Sequence, residues 1–386
     1  MPLDLPQGLT LTIAYDGAID DKDTYGVFRQ KEGNDWYVYT QFEALAARRG
    51  FPCVDEPDSK VPWTLTLEVD KAQVALSNAA VRATSPIEGT DRVAVEFDET
   101  LPLPSYLLGF AVGPFDLVAA GKNKSGAPLR VVTMRGRQGE AAWAAETTGA
   151  LLGSLEEYFG TAYPFPKLDA VTIPLTVGFD AMEHPGLITY SERTILMPAK
   201  DAPLEGRSTW GYIAAHEMAH QWFGNLVTPV FWDDIWLNEA FATWMEPKVI
   251  AAFRPGWHAD EVATAAAVDV IGQDSLASAR QIHNPVTSND DILGVFDGIT
   301  YQKGAAVIGM FERWLGPDEF RAGVRAYLAQ FSRGNATSAD FLAAIGTATG
   351  VDVATPFSTF LDQVGAPAIT VATRCEAGAA PTFSLS

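Results

Sequence analysis

The hydrophobic period of this chain changes sharply along its length, and that change limits what it can fold into. From about Leu9 to Phe115 apolar and polar residues alternate in short runs, such as Trp63-Thr64-Leu65-Thr66-Leu67-Glu68-Val69 and Arg92-Val93-Ala94-Val95-Glu96-Phe97. This is the two-residue period of half-buried strands. From Gly206 to about Gln363 nearly every segment has helical spacing instead, over 207–223, 235–253, 257–272, 301–315, 317–331 and 338–347. Between the two lie a helical run, Glu140 to Phe159, stopped by Gly160, and a short β stretch from about Ala170 to Met197. The pattern predicts an α+β chain with an N-terminal antiparallel β domain at 1–127. A mostly helical domain with a small sheet follows Gly126-Ala127-Pro128, at 128–366. After Gly365-Ala366-Pro367 the chain turns β-like again, at 367–386, over a length too short to bury a core of its own.

Chemistry concentrates in Ala215-His216-Glu217-Met218-Ala219-His220-Gln221-Trp222-Phe223-Gly224. Histidines four apart on a helix lie about 40° from each other around its axis and about one turn apart along it, so both imidazoles reach one ion. A catalytic zinc takes three protein ligands and keeps one position open. Glu239 is the candidate third ligand, with eighteen residues between it and His220. Gly224 and Pro229 break the first helix, which lets the chain fold back and present a second, amphipathic helix around Glu239. Glu217 shares the helical stripe yet adjoins a ligand, so its carboxylate can face water at the open position without binding the metal. That is the place of a general base. The chain has 5 histidines in all, and two at this spacing with a glutamate at hairpin distance point to one Zn2+ ion. Five of the 10 tryptophans lie between Trp210 and Trp244, where they are expected to pack around that hairpin.

Composition narrows the partners. Asp plus Glu is 48 against Lys plus Arg 27, a formal net charge of −21 that repels phosphate backbones and anionic lipid, so nucleic acid is excluded as a partner. Cys53 and Cys375 are the 2 cysteines, too few for a disulfide framework or a four-cysteine metal site, and are expected as reduced thiols. Met1 to Pro6 has no basic region followed by an apolar run, and no stretch approaches the ~18 apolar residues of a membrane helix. As given, the chain reads as neither targeted nor anchored, and its compartment and oligomeric state stay open.

His216-Glu217-x-x-His220, eighteen residues and Glu239 together resemble the gluzincin aminopeptidases of the M1 family. Thermolysin-like endopeptidases set their glutamate at a slightly different distance. Three further segments are similar to the family's. Gly178-Phe179-Asp180-Ala181-Met182-Glu183-His184-Pro185-Gly186-Leu187 is similar to its Gly-Ala-Met-Glu-Asn edge strand, with Asp180 in place of glycine and His184 in place of asparagine. The resemblance makes Ala181, Met182, Glu183 and His184 substrate-binding residues, with Glu183 capturing a free N-terminal ammonium. Thr40-Gln41-Phe42-Glu43-Ala44 resembles the segment where the β domain meets the active site. It implies Gln41 in the first side-chain pocket and Glu43 as a second carboxylate at the substrate amine. Ile299-Thr300-Tyr301-Gln302-Lys303-Gly304 is similar to a family segment whose tyrosine, here Tyr301, donates to the oxyanion of the tetrahedral intermediate. Outside such motifs a tyrosine at a helix start packs and a strand-edge glutamate is solvated. Cys53, His258 and His283 are read in that plain way.

By this resemblance the chain is a β saddle followed by a thermolysin-like catalytic domain. It would be a zinc-dependent aminopeptidase that removes the first residue from peptides with a free N-terminus. The resemblance also implies truncation at both ends, with the first strands of the β domain missing and a third β unit just begun at Pro367. Two alternatives remain: an epoxide hydrolase branch that uses the same zinc, and a non-catalytic scaffold that has lost its ligands. The intact His216, Glu217, His220 and Glu239 argue against the scaffold.

Overall fold

Alternation at the start of the chain becomes two antiparallel sheets. The computed structural model describes residues 10–198, 200, 202–376, 378 and 380–385, so Met1 to Pro6 lie outside the described residues. β1 (Gly26–Glu32) and β2 (Asp35–Gln41) form a hairpin in register from Gly26 opposite Gln41 to Glu32 opposite Asp35. The period of two sends Tyr37 and Tyr39 inward, where they pack on Phe28 and Phe115. β3 (Thr66–Asp70), β4 (Val74–Ser77), β5 (Val81–Pro86), β6 (Arg92–Phe97) and β7 (Phe110–Gly113) complete the pair of sheets, ordered β1-β2-β7-β4 and β3-β6-β5.

The next hairpin, β8 (Asp116–Lys122) with β9 (Pro128–Thr133), spans the changeover expected at 127/128. Asn123 and Ala127 close its turn, and both strands join a five-stranded sheet with β10 (Leu168–Ile173), β11 (Ala181–Met182) and β12 (Leu187–Ser191). The Gly-Ala-Pro signal therefore marks a hairpin turn inside this sheet. On strand pairing, the second unit begins near Asp116. β9, β10 and β12 run parallel, whereas β8 and the edge strand β11 run antiparallel to their neighbours. Helix α1 (Ala142–Phe159) covers the sheet with Leu151, Leu152, Leu155 and Phe159 and ends at Gly160, whose φ of +67° suits glycine.

The helical body follows: α2 (Glu192–Ile195), α3 (Leu204–Ala219), β13 (Thr228–Pro229), α4 (Ile235–Phe253), α5 (Ala259–Asp274), α6 (Gly304–Leu315), α7 (Pro317–Phe331), β14 (Asn335–Ala336), α8 (Ser338–Thr349) and α9 (Ala354–Leu361). α3 stops at Ala219 rather than Phe223 because the chain turns over 220–227. There Asn225 N–H donates to the His220 carbonyl, Gly224 N–H donates to the Val227 carbonyl, and Gly224 takes a φ of +114°. α4 is not amphipathic as expected: Ile235 through Ala242 are buried without interruption, because α3, α6 and α1 pack around the helix. All five tryptophans of this region are buried, and Phe223 stacks on Phe241 with ring centroids 3.4 Å apart, joining the end of α3 to α4. The chain ends in an exposed hairpin, β15 (Val371–Arg374) with β16 (Thr382–Leu385). No helix of the described residues is long and apolar enough to cross a membrane.

One buried ion cluster fixes the sheet behind the site. Asp169 on β10 accepts from Arg130 at 2.6 and 2.7 Å and from Lys167 at 2.9 Å, while Lys167 Nζ also donates to the Gly186 carbonyl at 2.7 Å, just past the edge-strand motif. Removing one partner of such a cluster leaves a buried charge uncompensated. Asp169→Ala is expected to cost about 3–5 kcal/mol, read as a lowered urea midpoint. An unchanged midpoint would show that the cluster is not what holds β10 to the motif.

Candidate metal centre and active-site cavity

α3 and α4 pack side by side and bring three ligand atoms into one triangle. His216 Nε2 and His220 Nε2 are 3.0 Å apart, and Glu239 Oε2 lies 3.2 Å from the first and 3.4 Å from the second. The outer nitrogens are already occupied. His216 Nδ1 pairs with Glu246 Oε1 at 2.8 Å and His220 Nδ1 with the Phe223 carbonyl at 3.1 Å. With both Nδ1–H groups donating outward, both Nε2 lone pairs face inward beside a carboxylate oxygen. Ligands ~2.1 Å from a tetrahedral zinc stand about 3.4 Å from one another, so this donor set fits the ion on spacing and on chemistry.

Among the described residues, His216, His220 and Glu239 are thus a group that could hold a metal, as expected from sequence. Glu246 was not foreseen. It lies seven residues beyond Glu239 on the same helix, so a helical-face count would have found it.

These ligands open on a cavity of about 670 Å³ lined also by Gln41, Glu43, Ala181, Glu183, Glu217 and Tyr301. Glu217 is buried, and burial pushes its carboxyl up to about 8. Burial likewise raises Glu183, and it raises Glu43 well above the usual range with Glu183, Glu239 and Glu217 reinforcing it. Burial alone would neutralise His220, but the carboxylates of Glu183 and Glu239 carry it up to about 9. Glu239 moves the other way, because the imidazoles of His220 and His216 outweigh its burial. One oxygen each of Glu43, Glu183 and Glu217 is buried without a hydrogen-bond partner. Tyr301 sits on a π-helical turn, Ile299–Lys303, rather than at a plain helix start, and its ring lies parallel to that of His216 at 6.0 Å.

The edge-strand motif is braced from the turn that follows α3. Gln221 Nε2 and Asn225 Nδ2 both donate to the Glu183 carbonyl, at 2.9 and 2.7 Å. Both belong to the sequence run around His220, but nothing in its spacing marks them as supports. Lys60, from the N-terminal part, donates to the carbonyls of Asn225, Leu226 and Gly334 at 3.0–3.2 Å behind the site. Burial pulls its ammonium down to about 7.

Two sequence expectations need correction or refinement. His184 does not line the cavity. It is fully buried, and its ring lies so close to Gly109 that a Cβ there would stand 2.9 Å from it. Burial holds that ring down to about 3, so it is a neutral packing group. Met182 is buried one layer back, its sulfur accepting from Gln41 Nε2 at 3.3 Å. Of the plainly read residues, His258 is exposed and Cys53 half-buried, while His283 faces Asp234 at 3.6 Å and Asp362 at 3.2 Å.

Comparison with known proteins agrees with this geometry. Residues 143–360 match the model of the peptidase family M1 domain, and residues 2–107 that of the peptidase M1 N-terminal domain. The chain belongs to peptidase family M1. It is 38% identical over 367 residues to aminopeptidase M1-A of Oryza sativa subsp. japonica, covering 94% of this chain and 41% of that protein. It is 37% identical over 336 residues to glutamyl aminopeptidase of Homo sapiens, covering 86% of this chain and 35% of that protein. Aminopeptidase A of Gloydius brevicauda is 35% identical over 350 residues, with 90% and 36% covered. The M1 chain therefore spans between 35% and 41% of the length of these curated relatives.

Two predictions follow from the site. Glu246→Gln is expected to weaken metal binding about 10- to 100-fold, measured by competition with a chromogenic chelator, with the fold intact by circular dichroism. In chelator-treated protein, Glu217 (about 8) and His220 (about 9) hold protons that the unfolded chain, with ordinary values of 4.5 and 6.5, has released. The buried His184 below about 6.5 and Lys60 above about 7 work the other way, so the folded state binds the larger number of protons, and stability falls, as pH rises from about 6.5 to 8. Calorimetric Tm values across that window check this, and a rising Tm would contradict it.

Proposed function

We propose that the chain carries the catalytic centre of a zinc-dependent aminopeptidase that hydrolyses the first peptide bond of substrates with a free N-terminus. The observation that carries the reading is the set of buried, unpartnered carboxylate oxygens on Glu43, Glu183 and Glu217 beside the His216–His220–Glu239 triangle. Buried acceptors without donors are costly and fit a ligand that brings N–H groups. An N-terminal ammonium brings three.

A zinc ion held by His216, His220 and Glu239 would polarise the scissile carbonyl and acidify the attacking water. Glu43 and Glu183 bind the ammonium, so an internal peptide segment would leave both carboxylates unpaired. β11 is an edge strand whose partner β12 takes one side: the Asp180 carbonyl accepts from Ser191 N–H, so Ala181 turns its own N–H and C=O to the free side. An extended peptide backbone docks there by strand addition. Glu217, buried beside the open position, takes a proton from the attacking water and returns it to the departing amine. Tyr301 donates to the developing oxyanion from beside His216. Gln41 contributes to the pocket for the first side chain, with Met182 behind it.

The test is metal content and cleavage of an amino-acid amide reporter, measured together. Glu217→Gln should keep its metal and lose about 10²–10⁴-fold in kcat, and Tyr301→Phe about 10²–10³-fold. Acetylation of the substrate amine should abolish turnover. Metal-loaded wild type that leaves the amide intact sinks the aminopeptidase reading, and wild type that binds no metal favours a scaffold.

A further inference from the structure

Among the described residues that line the cavity are six carboxylates, Glu43, Asp180, Glu183, Glu217, Glu239 and Glu246, and neither lysine nor arginine. Five have a partner or task within the site: Glu239 in the ligand triangle, Glu246 on His216, Glu217 as base, and Glu43 and Glu183 at the ammonium. Asp180 has none there. It stands immediately before β11, three residues ahead of Glu183, with its carboxylate 53% exposed. Its partner is Arg193, 2.5 Å away, which is 71% exposed and does not line the cavity.

We propose that this site selects cationic over anionic peptides, with Asp180 as the specificity-determining residue for the side chains just after the scissile bond. The inference rests on the aminopeptidase reading. With its ammonium at Glu183, an extended substrate runs antiparallel to β11 and advances about 3.3 Å per residue, which carries its second and third residues past Met182 and Ala181, where a long side chain reaches Asp180. An exposed ion pair such as Asp180–Arg193 contributes little and exchanges partners readily, so an incoming lysine or arginine replaces Arg193 on the carboxylate. An incoming glutamate meets the carboxylates that line the cavity, and the one cation beside Asp180, Arg193, stands outside that lining. The same argument applies to the first side chain, whose surroundings include Gln41, Tyr25 and Phe179 but no lysine or arginine.

The experiment compares kcat/KM for Ala-Lys-Lys-amide and Ala-Glu-Glu-amide at low and high salt. Wild type should favour the lysine peptide, with a ratio that shrinks as salt screens the charges. Asp180→Asn should lower the ratio about twofold to fivefold. Arg193→Gln should raise it, because it frees the carboxylate. A purely structural role for the pair would move both variants in the same direction, and that result would overturn the proposal, as would a wild-type ratio of one or less. The same two peptides are titrated calorimetrically into metal-loaded Glu217→Gln, so charge selection is also read as a Kd ratio. If wild type cleaves neither peptide, the aminopeptidase reading fails, while the Kd ratio still upholds or overturns the selection.

Discussion

Three unshared electron pairs, on two imidazole nitrogens and one carboxylate oxygen, face one another across 3.0–3.4 Å on the floor of the cavity. Such an arrangement is unfavourable unless something positive completes it, and the surrounding fold keeps it from relaxing. The Glu246 carboxylate and the Phe223 carbonyl hold both outer ring nitrogens. The Phe223–Phe241 stack fixes the end of α3 against α4, and α4 is buried on nearly every face. The aromatic density of the middle of the chain is therefore a mechanical support for polar atoms that would otherwise turn away from each other.

Much of this was legible in the sequence, for identifiable reasons. The two histidines and Glu239 could be read because helical geometry is rigid: four residues make one turn, and a broken helix followed by another makes a hairpin. The α+β division followed from the change of period, and the end of α1 from Gly160. What could not be read depends on contacts between segments distant in the chain. The mixed direction of the five-stranded sheet arises from the parallel pairing of β9 with β10, about forty residues later, and β8 joins that sheet only through its hairpin with β9. His184 reads as a site residue because it stands at the asparagine position of the family's motif, yet successive residues of an extended segment point to opposite sides, and here Gly109 receives the ring. Gln221 and Asn225 sat in plain view, but their acceptor, the Glu183 carbonyl, lies about forty residues earlier.

The charge of −21 gains a location from the structure. Part of the acidity is concentrated where burial makes it most expensive, so the cavity is strained electrostatically before anything binds. Glu43 and Glu183 are shifted toward neutrality by burial, while Glu239, a few ångströms away, is held ionised by the imidazoles. Environment, not residue type, separates the carboxylates into acids and anions.

Lys60 reaches from the N-terminal part to three carbonyls of the loops behind the metal helix, one of them on Asn225, whose own side chain holds the Glu183 carbonyl. Those carbonyls find their donor in a segment that a family boundary assigns to a different domain. A graft that brought a residue without an ammonium to position 60 would remove the one donor shared by all three carbonyls, so the loop that steadies the Glu183 carbonyl is built from both segments at once.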